Sequence, residues 1–267
     1  MDDSRWKYAV VTGAAGSIGT AIVTALAAED WSICALDINS DGLKVLAERL
    51  PNGRTLLRTL DVRNNADWSE AVAEISDWSG GRLDLLINNA AVTSRHPFRE
   101  MRMDEARQIV DVNLTGVING VLACLPMLEA TAGARIINIS SIAARTGWPF
   151  ASIYSATKAD VHCLTEALSI ELAAQGISVC DIVPSFVDSG RKGDCASDVD
   201  IRAAFRRWGI GFSKPDRVAH VVVKATQRYR LHWVVGSQAK QFVLLARLFP
   251  ALTRFGCRKI AEGFLRR

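Results

Sequence analysis

The sequence predicts an α/β protein: a doubly wound, Rossmann-like parallel sheet in a single domain with a C-terminal helical extension. Three observations carry that reading. Short runs apolar on both faces recur through the chain, as in strands covered on both sides of a sheet. Helical stretches separate them, which calls for crossover connections and parallel pairing. The first run ends in a glycine-rich turn that opens the first helix, where such folds bind ligands.

Taken in order, KYAVVTG (7–13) is the first strand and 18–30 the first helix. SICALD (32–37) is the second strand, followed by a helix near 40–50. RTLLRTLDV (54–62), DLLINNAA (84–91), ARIINISS (134–141) and GISVCDIVPS (176–185) continue the series with helices between them. The segment 186–214 is less regular, and a long excursion after a strand's C-terminal end reads as functional. HWVVGSQ (232–238) is the last strand. Residues 1–238 then form one domain and 239–267 the extension, with helices over 240–249 and 251–266 broken at Pro250.

Composition narrows the function classes. Of 267 residues, 49% are hydrophobic and 22% charged, as in a folded globular chain. No run of about 18 uninterrupted apolar residues occurs, so no membrane-spanning helix is predicted. The acidic start MDDSRWKYAVVTG argues against a secretory signal. The six cysteines (Cys34, Cys124, Cys163, Cys180, Cys195, Cys257) form no CxxC pairs, so neither a disulfide framework nor a metal site is expected, and the cytoplasm is the natural compartment. The net charge of +4 sits in the tail: residues 241–267 hold six Lys/Arg against the single acid Glu262. The main body therefore gives no electrostatic support for nucleic-acid binding.

TGAAGSIG (12–19) places Gly13, Gly16 and Gly19 between strand and helix. Small residues let a backbone approach a pyrophosphate, and the helix start offers free N–H groups and a positive dipole end. Asp37 ends the second strand, where an acid accepts hydrogen bonds from an adenosine ribose. A carboxylate repels a 2′-phosphate and DINSDG supplies no arginine, so NAD is favoured over NADP. Asp37 also reads as a turn-initiating aspartate.

Tyr154 and Lys158 stand four apart in the amphipathic stretch IYSATKADVHCLTEALSIEL, on one helix face. A neighbouring ammonium favours phenolate and brings a tyrosine within reach of proton exchange at ordinary pH. INISS, ending a buried strand, sets Ser140 and Ser141 where ligands bind in such sheets. A serine there can orient a substrate oxygen or cap a local turn.

TGAAGSIG, Asp37, LDV with Asp61, NNAA (88–91), DVNLTG with Asn113, ISS, YSATK and PSFVDS occur in that order. The set resembles the short-chain dehydrogenase/reductase family in its single-domain form, over residues 7 to about 235. The resemblance implies NAD(P)-dependent chemistry on CH–OH groups, with Tyr154 as general acid/base. Lys158 would lower the tyrosine's pKa and bind the nicotinamide ribose, Ser141 would hold the substrate oxygen, and Asn113 would anchor a water in a proton relay through Lys158. Asp61 and Val62 would flank the adenine, and Asn89 and Ala90 would line the cofactor path. Gly13, Ser17, Ile18, Gly19, Asp37, Ile38, Pro184 and Val187 complete the cofactor contacts. The family's usual middle glycine is Ser17 here, its NNAG is NNAA, and its PG is Pro184-Ser185.

Trp148, Phe150, Ile153 and Phe186, with Val92 and Thr93, point to an apolar pocket for a hydrophobic secondary alcohol or ketone. They read equally as core or interface packing. Arg95, Arg145 and Arg191 are scattered and mark no obligatory anionic group. The expected function is hydride transfer between NAD(H) and such a small-molecule substrate. A non-catalytic NAD-binding sensor or scaffold and an epimerase or dehydratase with tightly held NAD are the alternatives. The resemblance also implies a homo-oligomer, tetramer or dimer. In the tail, Leu245, Leu248, Leu252 and Phe255 form an apolar stripe, with Arg247, Arg254, Arg258 and Glu262 nearer the other side. It can pack over the pocket or a neighbouring subunit, rest on an anionic membrane surface, or remain solvated.

Overall fold

The computed structural model describes residues 7–51, 53–94, 96–188 and 211–265. Seven strands form one parallel sheet: β1 (Lys7–Thr12), β2 (Trp31–Asp37), β3 (Thr55–Thr59), β4 (Leu85–Asn88), β5 (Arg135–Ile139), β6 (Ser178–Val183) and β7 (His232–Val234). Their spatial order is β3-β2-β1-β4-β5-β6-β7. Val11 of β1 pairs Ala35 of β2 on one side and Ile87 of β4 on the other, both in parallel. The chain reverses its direction of winding between β1 and β4. A crevice opens there beyond the C-terminal strand ends.

The period of two along each strand feeds two cores. Ala9 and Val11 face α1 (Ser17–Ala28), α2 (Ser40–Ala47) and α7 (Pro215–Gln227), meeting Ile22, Leu26, Leu43 and Val222. Val10, Cys34 and Leu36 face the opposite way, onto α3 (Asn65–Ser79) and α5 (Gly116–Glu129), meeting Trp68, Ile75, Val121 and Leu128. Both faces of β1, β2 and β4 are therefore sealed, as their uninterrupted apolar runs require. The run 54–62 contributes only Thr55–Thr59 to the sheet, because β3 is an edge strand with half-exposed residues.

The helix α4 (Met103–Val110) continues through a π-helical turn, Asp111–Thr115, into α5. The resulting helix Met103–Glu129 is long and apolar enough to cross a membrane by length and composition alone. Here its apolar face, with Val121, Cys124, Met127 and Leu128, is spent on the sheet core. The excursion 186–214 lies outside the described residues from 189 to 210.

The tail forms α8 (Ser237–Leu248) and α9 (Pro250–Leu265), with Pro250 at the first position of the second helix, where its missing N–H costs nothing. Its inward face is Ala239, Phe242, Val243 and Ile260, packed on Trp148 and Val183. The stripe Leu245, Leu248, Leu252 and Phe255 points outward, 37–58% exposed. The inward face is fixed by Phe242, stacked on Trp148, with Ala239 buried beside it, so the helix turns its leucines away.

Trp68 anchors the α3–α5 layer, 1% exposed, with its indole Nε1 donating to the Val62 carbonyl at 3.1 Å. Truncation leaves a large void and removes one of the two hydrogen bonds to that carbonyl, the other coming from Asn119 Nδ2 at 3.0 Å. Trp68→Ala should lose about 3–5 kcal/mol of stability in denaturant unfolding, while Trp68→Phe should lose clearly less.

Candidate functional site

The crevice above β1 and β4 is a cleft of ≈ 510 Å³. The glycine turn makes one wall, and its tightness has a steric origin. Gly13 has φ +63°, and a Cβ there would lie 2.7 Å from the Ala90 Cα. A Cβ on Gly19 would come within 2.0 Å of the Gly13 carbonyl oxygen. Only hydrogen fits at either place. Gly16 is the N-cap of α1 and provides no side-chain cap. The first-turn N–H groups of α1 are thus left to a ligand, water or solute.

Thr12 joins the turn to the neighbouring strand. Its Oγ1 donates to the Ile87 carbonyl and accepts from the Asn89 and Ala90 N–H groups at 3.0 and 3.1 Å. Asn89 Nδ2 returns the link, donating to the Thr12 and Gly13 carbonyls at 2.9 and 3.0 Å. The Asp37 carboxylate accepts from the Ala15 N–H and from the Asn39 N–H, both at 2.9 Å. It is both a turn-forming aspartate and a cleft-lining acid, and a carboxylate retains lone pairs for a further donor. Arg63 also lines the cleft, but its guanidinium grips Asp61 through contacts of 2.6–3.0 Å. The Arg63 hydrogen bond holds the Asp61 carboxyl below its usual pKa.

At the other end stands α6 (Ser152–Glu171), with Tyr154 and Lys158 on its cleft-facing side. The Lys158 ammonium is 3% exposed, donates to the Ile139 carbonyl at 2.7 Å and lies 5.8 Å from the centre of the Tyr154 ring. Burial lowers its pKa to about 8. Ser141 Oγ accepts from the Ala143 N–H at 3.1 Å, capping a short 3₁₀ turn and keeping the hydroxyl at the cleft. Ser140, beside it in the lining, donates to the Lys158 carbonyl. Trp148, T-shaped against Phe186 at 4.9 Å and stacked on Phe242 of α8 at 5.5 Å, forms the apolar wall beside Tyr154.

Fifteen predicted positions line this one cleft: Gly13, Ser17, Ile18, Gly19, Asp37, Ile38, Asp61, Val62, Asn89, Ala90, Ser141, Tyr154, Lys158, Pro184 and Val187. Asn113 does not. It is fully buried behind the wall on the π-helical turn, where its side chain exchanges hydrogen bonds with the Val92 backbone at 2.8 and 2.9 Å and donates to Thr157 Oγ1 at 3.2 Å. Such turns gather at functional sites because they re-aim a helix locally. Trp148, Phe186, Val92 and Thr93 line the cleft, whereas Phe150, Ile153 and Arg145 do not. Arg95 and Arg191 lie outside the described residues. Arg63, Asn39 and Gln108 are lining residues that sequence reasoning missed. Arg63 had one legible signal, its position directly after the LDV segment.

The family model described as short chain dehydrogenase matches residues 7–200. The chain belongs to the short-chain dehydrogenase/reductase family. An oxidoreductase of Staphylococcus aureus (strain MW2), itself uncharacterized, is 37% identical over 184 residues, covering 68% of this chain and 79% of that protein. A ketoacyl reductase of Nostoc is 31% identical over 221 residues, covering 82% and 75%. Among solved structures, a short-chain dehydrogenase from Streptomyces avermitilis superposes with TM-score 0.78 at 26% identity, covering 96% of this chain and 97% of that one. A variant actinorhodin polyketide ketoreductase with NADPH gives 0.77 at 28% identity, covering 86% and 95%. Membership makes this chain an oxidoreductase that binds a nicotinamide cofactor.

The depressed lysine fixes a pH dependence. An unfolded lysine holds its proton up to about pH 10.4, while Lys158 in the fold releases it near 8. Between those values the unfolded chain binds more protons, so this group's contribution to stability rises with pH. The stability of the native chain relative to Lys158→Met should therefore increase from pH 8 to pH 10 in denaturant titrations. A difference independent of pH would contradict the buried ammonium.

Proposed function

We propose that the protein is an NAD(H)-linked dehydrogenase/reductase acting on a hydrophobic secondary alcohol or ketone. The observation that carries the reading is the buried Lys158 ammonium placed against Tyr154 on the cleft-facing side of α6. A binding module has no use for a cation brought out of water beside a phenol, and burying one is costly.

The cleft suits a dinucleotide. The uncapped start of α1, held by the tight turn between Gly13 and Gly19, would offer its N–H groups to a pyrophosphate. Asp37 and the Asp61–Val62 segment would take the adenosine end, and Asn89, Ala90, Pro184 and Val187 the path toward Tyr154. The cofactor supplies the hydride, and the residues supply position and proton management. Ser141 would hold the substrate oxygen within reach of the Tyr154 hydroxyl. Tyr154 would give that oxygen a proton during reduction and take it back during oxidation, with Lys158 stabilising the phenolate. Asn113, locked to Val92 and Thr157, would set the backbone around the relay.

Arg63 supports NAD over NADP, because its guanidinium is engaged by Asp61 and is not offered to a 2′-phosphate. The neighbour holding NADPH makes the phosphorylated cofactor the alternative. The walls of Trp148, Phe186, Ile142 and Ala143 favour a lipophilic substrate, and the names of two relatives, ketoacyl and polyketide ketoreductase, favour the reductive direction. We further propose a homo-oligomer in the reducing cytosol. Leu122 on α5 and Ile170 on α6, 65% and 78% exposed, suit a subunit contact, and free Cys34, Cys124, Cys163, Cys180 and Cys257 suit that compartment.

Tyr154→Phe should lower turnover of a hydrophobic ketone by at least about 100-fold while NADH binding, followed by fluorescence titration, stays intact. Retained turnover would overturn the mechanism. Asp37→Ala should weaken NADH by roughly 10- to 100-fold, the worth of a hydrogen bond to a charged group, and spare NADPH. Equal loss for both would return NADP to first place.

A further inference from the structure

Away from the cleft, further along α6, the helix meets the sheet edge at a cluster of four titratable groups that the proposed chemistry does not use. Asp181 of β6 is fully buried. His232 sits directly beside it in the β6–β7 register, and His162 and Glu166 lie one and two turns beyond Lys158 on α6. The Asp181 carboxylate accepts from His162 Nδ1 at 2.5 Å and from His232 Nδ1 at 2.8 Å. The carboxylate engages the Nδ1 atom of each ring, so the two Nε2 atoms remain for another partner.

Those two Nε2 atoms converge. Glu166 Oε1 stands 3.4 Å from His162 Nε2 and 3.2 Å from His232 Nε2. His162 Nε2 is buried with no hydrogen-bond partner, on a side chain 8% exposed. Separations of this size are long for hydrogen bonds but match the roughly 3.3 Å edge of a tetrahedron whose centre lies about 2.0–2.1 Å from nitrogen and oxygen ligands. A buried carboxylate that accepts from the far nitrogen of each histidine is the usual support of such ligands, fixing tautomer and ring direction.

We infer that His162 Nε2, His232 Nε2 and Glu166 Oε1 bind a divalent transition-metal cation of the zinc class, with Asp181 as the supporting carboxylate and a solvent molecule in the fourth position. Two imidazoles and a carboxylate suit zinc or cobalt better than calcium or magnesium, which favour all-oxygen sites. The half-exposed Glu166 and the partly exposed His232 give the ion a way in. Bound there, it fastens the three-residue edge strand β7 to the helix that carries Tyr154 and Lys158.

The test is cobalt titration of the chelator-treated full chain, followed by the visible bands of tetrahedral cobalt, with zinc as competitor and thermal melting as a second readout. One cobalt per chain, displaced by zinc, is expected, with melting temperature raised by either ion. Glu166→Gln and His232→Gln should each weaken binding at least as much as the roughly 10- to 100-fold lost with a supporting carboxylate. Glu166 is half exposed, so its variant tests the site without emptying the core. Cys163→Ser should leave the titration unchanged, since that exposed thiol adjoins His162 but stands outside the ligand set. Absence of a saturable cobalt spectrum, binding undiminished in Glu166→Gln, or loss with Cys163→Ser would each overturn the proposal.

Discussion

Around the Lys158 ammonium the architecture makes most sense. Taking a lysine to 3% exposure is unfavourable unless its donors are matched, and the Ile139 carbonyl at the end of β5 provides one match at 2.7 Å. That bond sets the N-terminal part of α6 at the end of β5, while Thr165 further along the helix accepts from Asn138 within the same strand. Ser140, donating to the Lys158 carbonyl from the same strand end, fixes the helix a second time. Tyr154, one turn earlier, is then delivered to the cleft by helical geometry. The position of the phenol is a consequence of where the cation can be tolerated.

The opposite wall obeys a constraint of space. Gly13 and Gly19 bring the end of β1 and the start of α1 so close that a methyl group would meet backbone. Thr12 and Asn89 then bind that turn to the end of β4. Two rigid walls, one set by charge burial and one by backbone contact, face each other across the crevice where the sheet changes its winding. A ligand spanning them would find a preorganised site, and little ordering cost would remain to oppose binding.

Much of this was legible because the signals are local. An apolar run buried on both faces, a glycine turn and an i, i+4 pair each express a constraint acting within a few residues. Fifteen of the predicted positions consequently meet in one cleft. What escaped depended on contacts that only the folded chain shows. Arg63 looks like any surface arginine until Asp61 folds against it. Asn113 carries a motif, yet only the π-helical turn shows that its side chain faces the backbone of Val92 and not the cleft. The stripe of Leu245, Leu248, Leu252 and Phe255 has helical period, but period alone does not say which face meets the protein. The choice fell to Phe242, which stacks on Trp148.

The histidine cluster shows the same limit most sharply. His162, Glu166, Asp181 and His232 are spread over three elements with no ligand spacing between them, and only the β6–β7 register and the turn of α6 unite them. Lys158 and His162 occupy successive turns of one buried helical face, yet they meet different environments. The first finds a carbonyl and a phenol, the second a buried carboxylate. A single helix thus brings two unlike polar groups out of water, and each is matched by the end or edge of a strand it crosses. Movement of α6 against the sheet would disturb both, the first through β5 and the second through β6. That coupling ties α6 to two neighbouring strands, a placement suited to a helix that must hold a phenol at a reacting oxygen.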